Sequence, residues 1–284
     1  MTIAVGAKYP WGSLHRLYSS NTKIPEAVII ASDSRLSVKQ GTDFIPQSEI
    51  GTKVFQLGND AVVAYAGISA VGEKCIDELR WKLSKKQAPS SSDSRKIAQD
   101  VFQTAYKHNL TLMRIRPDDA PLYILIGACN KNGQAELYRA NCPDFILEPI
   151  IGLNAIAWLN TKNSFFSLLN DELNKQVEAE LSLRQRFPQI PIANLVPMQI
   201  KPEDVAMLIV SALSRIIEVG TDKTIGGKIQ CAIVTKEGIV FPQISSTTDP
   251  TNQGPGWTVA TAKQEELITV TGISGLFGFY HLTD

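Results

Sequence analysis

Thr2-Ile3-Ala4-Val5-Gly6-Ala7 decides how this chain is read. It is an apolar, partly β-branched run that suits a buried strand, and it opens on a hydroxyl side chain directly after Met1. Two later strand ends also carry chemistry. Val28-Ile29-Ile30-Ala31-Ser32-Asp33-Ser34-Arg35 passes from apolar to charged, and Thr52-Lys53-Val54-Phe55 begins beside a lysine. A threonine that becomes the terminus when Met1 is removed, with an aspartate and a lysine at other strand ends, supplies the parts of an N-terminal nucleophile. In such a site the freed α-amine takes the proton from its own residue's hydroxyl.

Working outward, residues 3–7, 27–31, 54–57 and 61–66 read as strands, with Gly58-Asn59-Asp60 as a turn. From Ser69 the period changes: Val71, Cys75, Leu79 and Leu83 recur every four residues and predict an amphipathic helix. Residues 88–93 form a loop rich in N-cap residues, and a second helix runs to about Met113 with Ile97, Val101, Ala105, Tyr106 and Leu110 on its apolar side. Strands return at 122–129, 135–140 and 145–149, the first two joined by the turn Asn130-Lys131-Asn132-Gly133. A charged helix is expected over 163–186. A second, apolar helix follows between Pro202 and Gly220, residues suited to its two ends. Strands at 228–235 and 238–241 close the main body. Grouped strands and grouped helices, without βαβ alternation, predict an α+β fold of two stacked, mainly antiparallel sheets with helices on their outer faces. The main domain is expected over residues 1–244. Residues 245–284 are read as a Ser/Thr/Gly/Pro-rich linker followed by a C-terminal hairpin.

Composition bounds the function. The 284 residues carry a formal net charge of zero with 44% apolar and 20% charged residues, the profile of an ordinary globular protein. That balance gives no support for a nucleic-acid partner or an anionic membrane surface. No apolar run approaches the roughly 20 residues of a membrane span, and the N-terminus lacks the pattern of a signal peptide. The four cysteines, Cys75, Cys129, Cys142 and Cys231, are scattered with neither a CxxC pair nor a neighbouring histidine. They suggest no zinc site or disulfide framework, and a reduced, cytoplasmic setting is expected.

Thr2-Ile3-Ala4-Val5-Gly6, the Val28–Arg35 stretch, Thr52-Lys53-Val54-Phe55 and Ala64-Tyr65-Ala66-Gly67 together resemble the β-type subunits of the proteasome family. That family of N-terminal-nucleophile (Ntn) hydrolases includes the bacterial proteasome-type and Anbu-like proteins. Asp222-Lys223-Thr224-Ile225-Gly226-Gly227 adds a later match. The resemblance covers most of residues 2–241, leaving out residues 9–25, the helix at 163–186 and the C-terminal extension. The interval from Thr2 to Asp33 is longer than the family's, and the excess falls in a first hairpin loop holding Trp11, His15 and Asn21.

The resemblance implies a four-layer αββα sandwich and a threonine peptidase working within a homo-oligomeric assembly on a peptide or protein substrate, with an unfoldase as a further partner. It assigns the nucleophile to Thr2, a hydroxyl-activating charge to Lys53, and the orientation of Lys53 to Asp33. Gly67 would supply an oxyanion-binding N–H, and Asp222 would orient groups near the α-amine. This chemistry needs no metal or organic cofactor. Two positions depart from the family pattern. Leu153 and Ile225 stand where active members place serines. Two alternatives remain open: a catalytically silent structural or assembly protein, which these departures favour, and an Ntn amidohydrolase acting on small amides, towards which the unusual loop at 9–25 could reshape the substrate cleft.

Overall fold

The structure, a computed structural model, describes residues 2–9, 26–40, 43–49, 51–85, 91–151, 156–159, 171, 175, 202–219, 223–248, 255–260 and 268–270. Met1, Leu153, Asp222, the loop expected after Tyr9 and most of the expected 163–186 helix lie outside these residues.

Strands β1 (Ala4–Tyr9), β2 (Ala27–Asp33), β10 (Ile156–Leu159), β11 (Ile229–Thr235) and β12 (Gly238–Val240) form one antiparallel sheet in the order β10-β1-β2-β11-β12. Strands β5 (Val54–Leu57), β6 (Ala61–Gly67), β7 (Leu122–Cys129), β8 (Ala135–Asn141) and β9 (Glu148–Pro149) form a second antiparallel sheet in sequence order. The helices are α1 (Ser69–Ser84), α2 (Ser91–Met113) and α3 (Pro202–Val219).

The two-residue period of the strands explains how these elements stack. In β2, Val28 and Ile30 face a core shared with Val62, Ala64, Ala66, Leu125 and Leu137 of the second sheet. The alternate residues Ala27, Ile29 and Ala31 face a different core, made with Val205, Ile209, Ala212, Leu213 and Ile216 of α3. Strand β6 repeats the logic on the other sheet. Val62 and Ala64 meet the first sheet, whereas Ala61, Val63 and Tyr65 meet Val71, Cys75, Leu79, Val101 and Phe102 of α1 and α2. A strand buried on both faces has no polar side to show, which is why β2 and β6 read as continuous apolar runs. Each fully buried Val, Leu or Ile side chain contributes roughly 1.5–3 kcal/mol. Helix α3 is therefore held by its packing stripe more than by intrinsic propensity.

Several expectations need correction. Leu36–Gln40 (β3) and Asp43–Ser48 (β4) pair as a separate antiparallel hairpin that sequence reading missed, with Pro46 and a register shift interrupting the usual alternation. The strand expected over 145–149 shrinks to Glu148–Pro149. A turn at 142–144 delivers Phe145 instead into the core beside Phe102 and Tyr106. Residues 245–248, read as linker, belong to a strand: β13 (Gln243–Thr248) pairs with β14 (Pro255–Ala260), which pairs with β15 (Ile268–Val270).

Candidate active site

Asp33 is the last residue of β2, and Lys53 stands immediately before β5, so each sheet delivers one charge to the seam between them. Lys53 Nζ donates to Asp33 Oδ2 at 3.1 Å, with the lysine 1% and the aspartate 0% exposed. Buried charges survive only when paired and hydrogen-bonded, and Asp33 is supplied fully. Its Oδ1 accepts the Ile3 N–H at 2.9 Å, and its Oδ2 also accepts the Gly226 N–H at 3.2 Å.

Those bonds fix Thr2. The Ile3 N–H belongs to the Thr2–Ile3 peptide, so the Asp33 carboxylate grips the backbone one bond beyond the threonine. On its other side the Ile3 carbonyl accepts the Asp33 N–H at 3.2 Å and the Ser32 hydroxyl at 3.0 Å. Thr2 itself is 6% exposed. The structure thus brings together Thr2, Asp33 and Lys53, the three central residues expected from sequence.

The electrostatics follow from burial. Desolvation raises the Asp33 carboxyl above its ordinary value, against the opposing pull of Lys53 and of the Ile3 and Gly226 N–H groups. Desolvation likewise lowers the Lys53 ammonium, against the attraction of Asp33, and the Arg35 charge adds to the lowering. Both shifts bring the pair closer to sharing a proton than an exposed pair would be.

Gly226 reaches Asp33 because of a clamp centred on Arg35. The Arg35 guanidinium donates to the Lys223 carbonyl at 2.8 Å and the Ile225 carbonyl at 2.9 Å, while its Nε pairs with Glu49 at 2.9 Å. The Gly226 carbonyl in turn accepts the Ser34 and Arg35 N–H groups. Gly226 has φ +156°, and a Cβ there would collide with the Arg35 guanidinium. Arg35 thus serves as a scaffold residue. Ile225 packs in the core shared with α3. Where the resemblance expects a serine, Ile225 thus contributes packing.

Gly67 ends β6 opposite Leu122, at φ +132°, where a Cβ would strike the Pro121 carbonyl. It is two residues beyond Tyr65, whose N–H donates to the Lys53 carbonyl at 3.3 Å, so β6 ties Gly67 to the lysine's own segment. Tyr65 is fully buried, stacked on Phe55, with its hydroxyl donating to Glu73 at 3.3 Å.

Sequence reading missed Gln230. Its Oε1 accepts the Lys53 N–H at 2.8 Å and the Val54 N–H at 3.2 Å, and its Nε2 donates to the Gly51 carbonyl at 2.9 Å. The available signal was a lone amide in the otherwise apolar strand Ile229-Gln230-Cys231-Ala232-Ile233-Val234. Among the described residues no His/Cys/Asp/Glu group is arranged to hold a metal ion, and no helix is long and apolar enough to cross a membrane.

Comparison with solved structures identifies the fold. The chain is similar to an Anbu (Gly-1) mutant from Hyphomicrobium sp. strain MC1, with a TM-score of 0.53 and 12% sequence identity over 93% of this chain and 89% of that one. No family model and no curated protein sequence matches the chain. The structural likeness bears out the resemblance to the proteasome-like, Anbu-type group, and at this identity it speaks for the fold alone.

Proposed function

We propose that this proteasome-like chain is a threonine peptidase in which Thr2, once it is the free N-terminus, attacks peptide bonds. The observation that carries the proposal is the buried Lys53–Asp33 pair bonded to the Thr2–Ile3 peptide. An exposed strand terminus has no need of two desolvated charges, whereas a hydroxyl that must ionise does.

The residues divide the work as follows. The Thr2 hydroxyl attacks the carbonyl carbon, and its proton passes to the Thr2 α-amine through one water. A terminal amine with a pKa of about 7.7–8 is substantially neutral near pH 7–8 and can accept that proton. Lys53 places positive charge toward the hydroxyl and favours its ionised form, while Asp33 holds Lys53 in position. The Gly67 N–H receives the oxyanion, a donor worth about 3 kcal/mol in such sites. Asp222 orients the groups around the α-amine. Collapse of the intermediate breaks the C–N bond, and the leaving amine takes the proton held by the α-amine. Water, deprotonated by the same amine, then hydrolyses the acyl ester and restores Thr2.

The finer architecture goes with this reading. The three cores support a four-layer αββα Ntn-hydrolase sandwich over residues 1–244, with 245–284 as an extension. The enzyme acts as a homo-oligomer in the cytoplasm, taking peptides or unfolded protein from an unfoldase. Light scattering after size exclusion should give a multi-subunit mass, and a strict monomer would remove the chamber from the account. Hydrolysis of fluorogenic peptides by the protein, and none by Thr2→Ala, is the matching test of chemistry. Equal rates for the two proteins would sink it.

A second reading, a catalytically silent assembly protein, draws on Ile225, whose buried side chain leaves no hydroxyl at that position. On that reading the oligomer forms and no peptide is cut.

A further inference from the structure

We infer that Gln230 is a positioning residue for Lys53: its side-chain amide acts as a one-residue strand partner for residues 51–54, holding the lysine over Asp33. This rests on the proposed role of Lys53 in the site, although its deciding test does not require the protein to be active.

The argument begins with the sheet edge. Among the described residues β5 is the outermost strand of its sheet, with β6 on one side of its head and no strand of that sheet on the other. Backbone N–H groups left without partners away from water are costly. The Gln230 side chain fills that gap. A primary amide offers two acceptor lone pairs and two donor hydrogens. Gln230 uses both lone pairs on consecutive N–H groups, Lys53 and Val54, and one donor on Gly51. Leu matches its bulk but makes none of these bonds, Glu lacks the donor, and Asn is one methylene short.

Gln230 is also placed where it can set the ion pair. In the β11–β2 ladder Ile229 stands opposite Asp33 and Gln230 opposite Ser32. Adjacent residues of one strand thus address both halves of the pair, one through register with the aspartate and the other through bonds to the lysine's backbone. The remaining anchors of the segment act through Gly51, whose N–H donates to the Ser34 carbonyl at 2.7 Å, and through the Lys53 carbonyl. Gln230 alone among the described residues is seen to bind the Lys53 N–H.

The test follows the Lys53 Cε signal through pH in lysine-labelled protein by carbon NMR, with Lys53→Arg assigning the resonance. The wild-type signal should titrate below an ordinary lysine. In Gln230→Leu the midpoint should move toward the ordinary value, because a released segment admits water to the ammonium. A hydroxyl-directed inhibitor should then modify Thr2 about 100-fold more slowly, the scale of loss for a small misplacement of a reacting group. A Gln230→Leu midpoint identical to wild type overturns the inference. Should the leucine variant fail to fold, Gln230→Asn decides in its place with the same predicted shift and the same overturning result. If wild-type Thr2 proves inert, the peptidase reading fails, and the titration still settles the role of Gln230.

Discussion

Two ion pairs in this protein have nearly the same length and opposite meanings. Lys53 meets Asp33 at 3.1 Å, and Arg139 meets Glu148 at 3.0 Å across the β8–β9 rim. The first pair is sealed from water; the second is 51% and 57% exposed. Distance therefore says little about what a pair does. A rim pair is screened and contributes about 0–1 kcal/mol. A buried pair is expensive to assemble, and losing one partner strands the other charge. The further N–H bonds from Ile3 and Gly226 to Asp33 show that the buried pair is built into the backbone on both sides. An arrangement that costly suggests use.

The comparison can be broken most sharply through activity. Lys53→Ala should lower Thr2 modification and peptide hydrolysis by about a thousandfold or more, within the range for losing an assisting charge or proton-transfer group. Arg139→Ala should leave both rates unchanged. A Lys53→Ala protein that is folded and fully active would end the argument that burial marks the working pair.

Stability sharpens the same contrast. Asp33→Asn or Lys53→Met alone should cost about 3–5 kcal/mol in denaturant melts, because each strands a buried partner. The double variant should cost much less than the two added together, since no lone charge remains. A parallel double-mutant cycle on Arg139 and Glu148 should return a coupling of about 1 kcal/mol or less. Equal coupling in the two cycles would contradict the account.

Gly226→Ala should cost about 1–3 kcal/mol, through a backbone conformation unsuited to alanine and a collision with the Arg35 guanidinium. It should also weaken Thr2 modification by disturbing the N–H that supports Asp33.

The smallest effect carries burial over to the cysteines. Burial pushes Cys75 and Cys231 up to about 12 and Cys129 up to about 11, from an ordinary 9.0. Native protein at pH 8 should react with iodoacetamide first at Cys142, which is half-exposed, and not at the other three. Above pH 9 the unfolded chain releases these thiol protons before the folded one does. Their contribution to stability should therefore decline as pH rises from about 9 to about 12, seen as a falling melting temperature.

Much of the site was legible because its residues break a pattern. Asp33 and Lys53 are charges at the ends of apolar strands, and the four-residue stripe of α1 could not be read as a strand. What escaped is contact without periodicity. The β3–β4 hairpin carries Pro46 and mixed polarity, so neither face shows the alternation of a half-buried strand. Gln230 reads as a stray polar residue until the second sheet is placed against it. Phe145 looked like part of a strand, and only the packing of α2 reveals it as a core plug. Local spacing reports which face is buried, whereas the partner of a single side chain depends on how the sheets meet.

One measurement tests the central claim most directly: tandem mass spectrometry of the N-terminal peptide after the protein is treated with a hydroxyl-directed covalent inhibitor. The account predicts a peptide that begins at Thr2 and carries the adduct on that residue, with no adduct in Lys53→Ala. A peptide that retains Met1 and remains unmodified would contradict it.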